Sequence, residues 1–319
     1  MTTSDTGGTE MQLDRLLARM DHPSLQHCVV SLAKAGKVGE MIRSRGIPVY
    51  SLDMKRGGLS VSGASGLWQL WSLIRREQPL ILQTWMYHAD LLGLLIGKLT
   101  QVPALFWNLR CAGMEMEHYP KLSRLVVRML CHLSPIPQVV VVNSEAGRLA
   151  HARMGYRPKR FEVIPNGFEL DRFCLDTYAR EWCLNEFKLP RDAVIVGLVA
   201  RYDPMKDHTM FLSAVRKVHA WHPNACFVLC GTQVEEKNPA LMQRITEYGL
   251  QQCLRLLGVR HDISKITAAF DIACSSSSFG EGFSNAIGEA MASGVPCVVT
   301  DVGDSAWIVG ATGKVVPPR

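Results

Sequence analysis

Two carboxylates, Glu281 and Glu289, lie eight residues apart in the segment Phe-Gly-Glu-Gly-Phe-Ser-Asn-Ala-Ile-Gly-Glu, which begins at residue 279. This pattern predicts a glycine-rich loop that runs into a helix, with the carboxylates up to about 12 Å apart along the axis. The free N–H groups and positive dipole end of a helix start bind anions well. One ligand matches this layout, with a sugar at Glu281, a diphosphate over the helix start and a ribose at Glu289.

The residues between the two carboxylates suit that ligand. Gly282 allows the backbone to approach it closely, and Phe283, Ser284 and Asn285 would present N–H groups at the helix start. Taken alone, each carboxylate is better interpreted as an ordinary helix-start or solvent-facing acid. The anion-site interpretation therefore depends on cations elsewhere in the chain.

Arg201 and Lys206 provide such cations in the segment Ala-Arg-Tyr-Asp-Pro-Met-Lys-Asp-His, which follows a predicted strand. Ligands of open α/β sheets bind at the carboxyl ends of the strands. A planar guanidinium and a compact ammonium could together offset a diphosphate without a metal ion. A loop with two solvated cations is an equally good interpretation of this segment alone.

The backbone near Val259 and Arg260, after another predicted strand, could read the edge of a nucleotide base, or it could form an ordinary loop. Asp301 and Asp304 follow a further strand at the same rim and could serve as caps.

The first half of the chain offers weaker candidates for an acceptor site. His88 follows a predicted strand and could handle a proton, although a lone His there is more often structural. Arg110 follows the next strand and could hold a phosphate or pair with Glu115. Gly7 and Gly8 could let a substrate approach the first helix, although a lone Gly-Gly pair is a weak signal.

Short apolar runs alternate with helical patterns along the whole chain, and the later runs lack clean polar alternation. This combination predicts doubly wound α/β domains built on buried parallel sheets. We place the boundary near residue 188, which gives an acceptor-side domain at 1–188 and an incomplete donor-side domain at 189–319. Eleven strands are predicted, at residues 28–32, 48–52, 80–85, 104–109, 139–143, 161–165, 194–200, 225–230, 254–257, 271–275 and 295–300.

Both ends of the sequence suggest missing elements. A doubly wound domain starts with a strand before its Gly-rich turn, whereas here the turn Thr6–Thr9 comes almost at once. The chain stops just after a β-like run at Val315 and Val316. We expect a fragment, or a reading frame started at an internal Met, in which open sheet edges are left inside the first domain.

The composition limits the ligands and partners that we expect for this protein. The 319 residues carry a net charge of +6, with 47% hydrophobic and 20% charged residues, which suits a globular protein with an anionic ligand or a loose contact with an anionic membrane surface. Lys and Arg form no basic run, so nucleic acid is not expected as a partner. The ten cysteines include no CxxC pair, and several lie in apolar runs, which predicts free thiols in a reducing cytosol and no zinc site. Trp68, Trp71, Arg75 and Arg76 could form an interfacial patch at the inner membrane face, although helical Trp is more often core.

The two charged segments resemble the donor-site motifs of the group 1, family 4 glycosyltransferases, which have the GT-B fold. The resemblance covers nearly the whole chain and is greatest to members that assemble surface polysaccharides or other glycoconjugates. Further matches to the family lie at residues 83–93, 107–110, 139–145, 163–168, 294–304 and 313–317.

The resemblance implies two Rossmann-like domains that face a cleft, with the donor bound by the second domain and the acceptor by the first. It implies hexosyl transfer from a nucleoside diphosphate sugar to a carbohydrate or lipid-linked hydroxyl, with retention of anomeric configuration and without a metal ion or other cofactor. Arg201 and Lys206 would hold the diphosphate, Glu281 the donor sugar and Glu289 the ribose.

Two positions depart from the family pattern. Ser284 stands where relatives often have Pro, and both residues suit a helix start. Cys111 stands where many relatives have His, so a histidine contact is lost there. Two rival functions stay open at this stage, namely a non-catalytic nucleotide-binding module or inactive fragment, and a GT-B sugar-nucleotide epimerase.

Overall fold

The structure is a computed structural model that describes residues 7–20, 22–54, 61–112 and 120–319. The chain divides into two compact units, at residues 1–167 and 168–319. The predicted partner Glu115 and the start of the Gly-rich turn at Thr6 lie outside the described residues.

The first unit alternates strands and helices, as its sequence pattern predicts. Ser144 caps α6 by accepting a hydrogen bond from the Gly147 N–H, and Gly155 ends that helix in the left-handed conformation that glycine favours. The elements are α1 (Gly8–Arg19), β1 (Val29–Ser31), α2 (Lys37–Ser44), β2 (Val49–Ser51), α3 (Val61–Glu77), β3 (Ile81–Trp85), α4 (Tyr87–Leu99), β4 (Ala104–Leu109), α5 (Lys121–Leu133), β5 (Val139–Val142), α6 (Glu145–Met154) and β6 (Phe161–Val163).

The described strands of the first unit form two parallel sheets, β1–β2 and β3–β4–β5–β6. Side chains from both sheets share hydrophobic clusters, since Val29 of β1 packs in one cluster with Trp85 of β3. Leu32, just after β1, packs in a second cluster, against which Leu82 of β3 also lies.

The second unit has clear start and stop signals for its helices. Asp207 caps α8, and Asn238 caps α9, which has Pro239 in its first turn and ends at Gly249. The elements are α7 (Ala179–Glu186), β7 (Val194–Val199), α8 (His208–Trp221), β8 (Ala225–Cys230), α9 (Pro239–Tyr248), β9 (Leu254–Leu256), α10 (Ile263–Ala268), β10 (Ile272–Ser275), α11 (Asn285–Ala292), β11 (Cys297–Thr300), α12 (Ser305–Val309) and β12 (Lys314–Val316).

Six parallel strands form the sheet of the second unit, in the order β12–β11–β10–β7–β8–β9. Every residue of β8 is buried, because hydrophobic clusters cover both faces of the sheet. This confirms the α/β class that the uninterrupted apolar runs predict. The order places the carboxyl ends of β7, β10 and β11 side by side.

The predicted domain boundary at residue 188 lies inside the second unit. The segment before it forms α7, and Ala179, Cys183 and Phe187 belong to the core that also contains Ile195 of β7. The sequence placed the boundary after this segment because a new buried strand follows it, but the apolar residues of the segment are buried against the second sheet. The division falls at Gly167 instead.

A comparison of two shortened polypeptides tests this division. A chain that begins at Phe168 keeps the buried α7 side chains, whereas one that begins at Leu189 loses them and also loses the pairing of Arg180 with Asp271. We expect the shorter chain to be less stable by about 2–5 kcal/mol, the usual cost of emptying buried side-chain positions. Urea unfolding followed by circular dichroism measures the difference, and equal midpoints would contradict the assignment of α7 to the second unit.

Candidate active site

The loop after β7 carries the first two predicted site cations. Arg201 donates from Nε to Asp203 Oδ2 at 3.0 Å, and the Arg201 side chain is 56% exposed. Asp203 in turn accepts from the Met205 N–H at 2.9 Å and starts a 3-10 turn at Pro204–Lys206. This turn directs Lys206 toward the middle of the sheet edge, while Arg201 stays at the surface.

Lys206 and Glu281 form an ion pair in which Nζ contacts Oε2. Both side chains are largely buried, with 17% and 10% of their surfaces exposed. The Ser277 hydroxyl donates to the same carboxylate oxygen at 2.9 Å. The structure therefore joins the two segments that the sequence predicted as halves of one site, which lie 75 residues apart in the chain.

A run of serines after β10 fixes the backbone around this ion pair. The Ser276 hydroxyl donates to the Lys206 carbonyl at 2.7 Å, and the Ser278 N–H donates to the Met205 carbonyl at 2.9 Å. Thr300, at the end of β11, donates to the Ser277 carbonyl at 2.6 Å. This scaffolding role was not predicted from the sequence; three consecutive serines directly after the predicted strand at 271–275 are the signal that could have revealed it.

His208 is a second residue that sequence reasoning missed. It starts α8 two residues after Lys206, is 3% exposed, and lies against Tyr202 with ring centroids 5.2 Å apart. Burial, together with the charge of Lys206, lowers the pKa of His208 to about 4. The imidazole is therefore neutral at pH 7 and leaves Lys206 as the cation of this turn.

Helix α11 begins one residue later than predicted, and Ser284 is its N-cap. Glu281 consequently lies in the loop ahead of the helix, whereas Glu289 is the fifth helical residue and half-buried. The Phe168 ring holds the helix closely, because a Cβ on Gly288 would lie 2.0 Å from it. The buried Phe283 ring lies between Phe168 and Trp307, at centroid distances of 6.1 and 6.3 Å, and so fixes the helix start.

The loop after β11 supports Glu281 from the other side. Gly303 has a φ of 65°, and a Cβ there would lie 2.2 Å from the Glu281 carbonyl oxygen. The Asp304 N–H donates to the Gly282 carbonyl at 2.9 Å. The position of Glu281 thus depends on a glycine 22 residues further along the chain, which the predicted capping role of Asp304 did not anticipate.

The predicted base-reading residues follow Gly258 at the end of β9. Val259 is 65% exposed. The Arg260 guanidinium pairs with Asp262 at 2.6 Å and lies 5.7 Å from the Phe187 ring. The side chain of Arg260 is therefore bound within the protein, which leaves the backbone of this loop for any base contact.

The acceptor-side candidates of the first unit gather at one sheet edge. Arg110 directly follows β4, and its guanidinium contacts Asn166 Oδ1 and lies 5.2 Å from the Trp85 ring. His88 is the second residue of α4, which directly follows β3. Gly7 and Gly8 begin α1, whose Gln12 donates to the Gly167 carbonyl next to Asn166.

Some expectations about side chains were wrong. Cys28 is exposed, although Cys226, Cys230 and Cys297 are buried as expected. All ten cysteines are free thiols.

Within the described ranges, no cluster of three or more His, Cys, Asp or Glu residues could hold a metal ion. No helix of the described chain is long and apolar enough to cross a membrane.

Comparison with solved structures defines the fold class. The chain matches HepE of Anabaena, solved with UDP and glucose, with a TM-score of 0.83 and 21% identity over 100% of this chain and 84% of the neighbour. Sucrose-phosphate synthase of Thermosynechococcus elongatus gives a TM-score of 0.77 at 17% identity, over 98% and 81% of the two chains. The protein therefore has the GT-B fold, as its sequence predicted.

Sequence comparison gives the family. Residues 7–167 match the family described as "Glycosyl transferase 4-like domain", and residues 193–319 match "Glycosyl transferases group 1". The chain belongs to the group 1, family 4 glycosyltransferases.

Two curated relatives illustrate the range of similarity. The chain is 25% identical over 254 residues to UDP-Gal:alpha-D-GlcNAc-diphosphoundecaprenol alpha-1,3-galactosyltransferase of Escherichia coli, covering 78% of this chain and 65% of that relative. It is 27% identical over 185 residues to putative glycosyltransferase EpsF of Bacillus subtilis, covering 57% and 46%. The matches therefore span less than two thirds of these relatives' lengths.

The contact between Gly303 and the Glu281 carbonyl leads to a prediction about the site. Substitution Gly303→Ala should displace the Glu281 loop, because its Cβ cannot fit 2.2 Å from that oxygen. We expect kcat/KM to fall about tenfold or more, which corresponds to a loss of about 1.4 kcal/mol of transition-state stabilisation.

Gly310→Ala is the matched control. Gly310 also has a positive φ, of 49°, but a Cβ there meets nothing within 4 Å. Both substitutions place a side chain at a positive φ, which costs on the order of 1–3 kcal/mol. Equal kinetic losses in the two variants would show that strain alone, rather than the position of Glu281, determines the effect.

Proposed function

We propose that this protein is a retaining glycosyltransferase that moves a sugar from a nucleoside diphosphate sugar to a hydroxyl group of a carbohydrate or lipid-linked acceptor, in the assembly of a surface polysaccharide or another glycoconjugate. The observation that carries this proposal is the ion pair of Lys206 with Glu281, beside the start of α11, in a chain of this family. The E. coli relative named above transfers galactose from UDP-Gal to a lipid-linked acceptor, which supports this class of donor and acceptor.

In the proposed reaction, the positive groups stabilise the leaving diphosphate. The bond from the anomeric carbon to the β-phosphate oxygen breaks, and negative charge grows on that phosphate. Lys206 and the N-terminus of α11 are fixed in place before the reaction by the serine scaffold and the Phe283 packing. Preorganised charge of this kind is commonly the largest single contribution to catalysis.

The acceptor oxygen attacks the same face of the sugar that the diphosphate leaves. A bond forms between that oxygen and the anomeric carbon, and the acceptor proton passes to the departing phosphate. Glu281 would orient the donor sugar hydroxyls, because Lys206 and Ser277 hold its carboxylate at the site. Glu289, further along α11, would bind the ribose hydroxyls. Retention follows because attack and departure share one face.

We also propose that the reaction requires no metal ion. The Lys206 ammonium and the helix start supply positive charge where a metal-dependent transferase would place its cation. Arg201 would add to this charge after leaving Asp203, since its side chain is exposed and free to turn toward the diphosphate. Neither role involves a bound cofactor.

A transfer assay with a panel of UDP-, GDP- and ADP-sugars tests the function. We expect turnover with one donor in excess EDTA, and a product whose anomeric configuration, read by NMR coupling constants, matches that of the donor. An inverted product would contradict retention, and loss of activity in EDTA restored by a divalent ion would contradict metal independence. Donor binding without turnover would indicate a binding module, and a changed nucleotide sugar formed without acceptor would indicate an epimerase.

Substitution of Lys206 gives the sharpest kinetic prediction. Lys206→Ala removes one preorganised charge-stabilising donor, so kcat/KM should fall by a factor on the order of 10²–10³. Lys217→Ala, at an exposed position of α8, is the control and should retain full turnover. Near wild-type turnover in Lys206→Ala, with an unchanged circular dichroism spectrum, would remove Lys206 from the mechanism.

We propose a peripheral contact with anionic membranes through the helices α3 and α5, which both pack on α4. The Trp68 side chain is 66% exposed, so the core alternative that the sequence favoured is wrong for this residue. Helix α5 exposes Leu122, Leu125 and Met129, and its sequence contains three basic residues and no acid. Apolar side chains bordered by basic ones are typical of surfaces that bind anionic lipid headgroups.

Vesicle binding tests this contact. We expect co-sedimentation with phosphatidylglycerol vesicles, weakened by salt because part of the attraction is screened. Trp68→Ser should reduce binding several-fold, whereas Trp221→Ser, at an 84% exposed position of the second unit, should not. Equal reductions in both variants would contradict a contact through α3.

A further inference from the structure

Arg110 is a half-buried cation whose charge no acidic residue offsets within the described chain. Among the described residues, its guanidinium contacts the neutral Asn166 side chain and the Trp85 ring. Its Nε atom is buried and makes no hydrogen bond. Burial lowers the pKa of Arg110 to about 10. A charge that is taken partly out of water without an acidic partner is costly, and a bound anion would offset that cost.

The position of Arg110 is that of a binding residue. Strands β3, β4, β5 and β6 are parallel neighbours, so their carboxyl ends meet at one edge of the sheet. Trp85 ends β3, Arg110 follows β4, and Asn166 lies shortly after β6. Side chains from two other strand ends, Trp85 and Asn166, therefore meet the Arg110 guanidinium at the edge where open α/β sheets bind their ligands.

The surrounding backbone adds positive potential at the same edge. Helix α4 starts directly after Trp85, and its N-cap Met86 is held by a hydrogen bond from its N–H to the Asn108 carbonyl at 3.0 Å. Met86 has a φ of 73°, a strained conformation for a side chain of this size. The chain turns sharply at Met86 from β3 into α4, which brings the positive end of the helix next to β4, the strand that Arg110 follows.

We infer that Arg110, Asn166 and Trp85 form an anion site in the first unit that holds a phosphate or diphosphate group of the sugar acceptor. Planar guanidinium groups bind phosphate oxygens through paired N–H donors, and within the described chain Asn166 accepts from one nitrogen of Arg110, Nη2. Asn166 and the Trp85 ring fix the plane of the guanidinium, so the site is preorganised. The assignment to the acceptor rests on the proposed function, in which the second unit holds the donor diphosphate.

Pyrophosphate titration in a background without the donor-site lysine tests the site. We expect calorimetry to detect binding of inorganic pyrophosphate to the Lys206→Ala protein, although this variant lacks the donor-site cation. Adding Arg110→Gln should weaken this binding at least tenfold, which is about 1.4 kcal/mol. Adding Arg148→Gln, an exposed arginine of α6 paired with Glu145, should leave it unchanged.

Two further probes separate the possible sources of the phosphate. Farnesyl diphosphate in detergent represents a lipid-linked acceptor, and GlcNAc-1-phosphate represents a soluble sugar phosphate. Tighter binding of either probe than of pyrophosphate, lost in Arg110→Gln, would support the site and identify the source. Binding that is equally tight with and without Arg110, for all three probes, would overturn the inference.

Stability measurements keep the test decisive. Because the charge is unpaired, Arg110→Gln should not lower the urea midpoint without ligand, while added pyrophosphate should raise the midpoint of the wild-type protein more than that of the variant. If Arg110→Gln unfolds the protein, the Arg110→Lys variant is measured instead. Weaker pyrophosphate binding by Arg110→Lys than by the protein with Arg110 then supports the site, and unchanged binding overturns it. These binding results do not depend on turnover, so absence of transferase activity would contradict the proposed function and leave the anion site standing.

Discussion

The contact between Lys206 and Glu281 is the constraint on which the second unit's site depends. Two opposite charges can be buried together at a sheet edge only if their remaining hydrogen-bonding capacity is met. Ser277 meets part of it directly, and Ser276, Ser278 and Thr300 lock the backbone on both sides. Loops after three adjacent strands are therefore fixed relative to one another before any ligand arrives.

Close backbone packing makes this arrangement possible. Gly303 lets the loop after β11 pass against the Glu281 carbonyl. Gly231 lets the loop after β8 pass against the Ala200 carbonyl, because a Cβ on Gly231 would lie 2.2 Å from that carbonyl oxygen. Both glycines have positive φ values. The strand ends are thus drawn together more tightly than side chains would permit. A donor would meet preformed polar groups, so little of its binding energy would be spent on ordering loops.

Each unit has a cation at the carboxyl-end edge of its parallel sheet, but the two cations have different partners. In the second unit the cation Lys206 is neutralised by a carboxylate, which a donor diphosphate would have to compete with or displace. In the first unit the described partners of Arg110, Asn166 and Trp85, are neutral. The ion pair in the second unit is stable without a ligand, whereas the charge of Arg110 in the first unit would be stabilised more by a bound anion. This contrast is why we assign the two sites to different substrates.

Most of the fold followed from local patterns. The predicted strands at 104–109 and 225–230 match β4 and β8, because apolar runs of that length are buried in parallel sheets whatever their neighbours. The boundary near residue 188 did not follow, because the sequence of α7 does not show that its apolar residues pack with Ile195 of β7. The exposed Trp68 also escaped prediction, because hydrophobicity alone does not reveal which helix face lacks a covering layer.

The sequence by itself determined the α/β class, the family and the two charged segments at strand ends. Spacing along the chain encodes those features directly. Only the tertiary structure decided that Lys206 pairs with Glu281, that Arg201 turns to Asp203, and that Arg110 has no acidic partner in the described chain. Such pairings join residues that are up to 75 positions apart, and the order and register of the strands, which no local pattern specifies, decide which side chains meet.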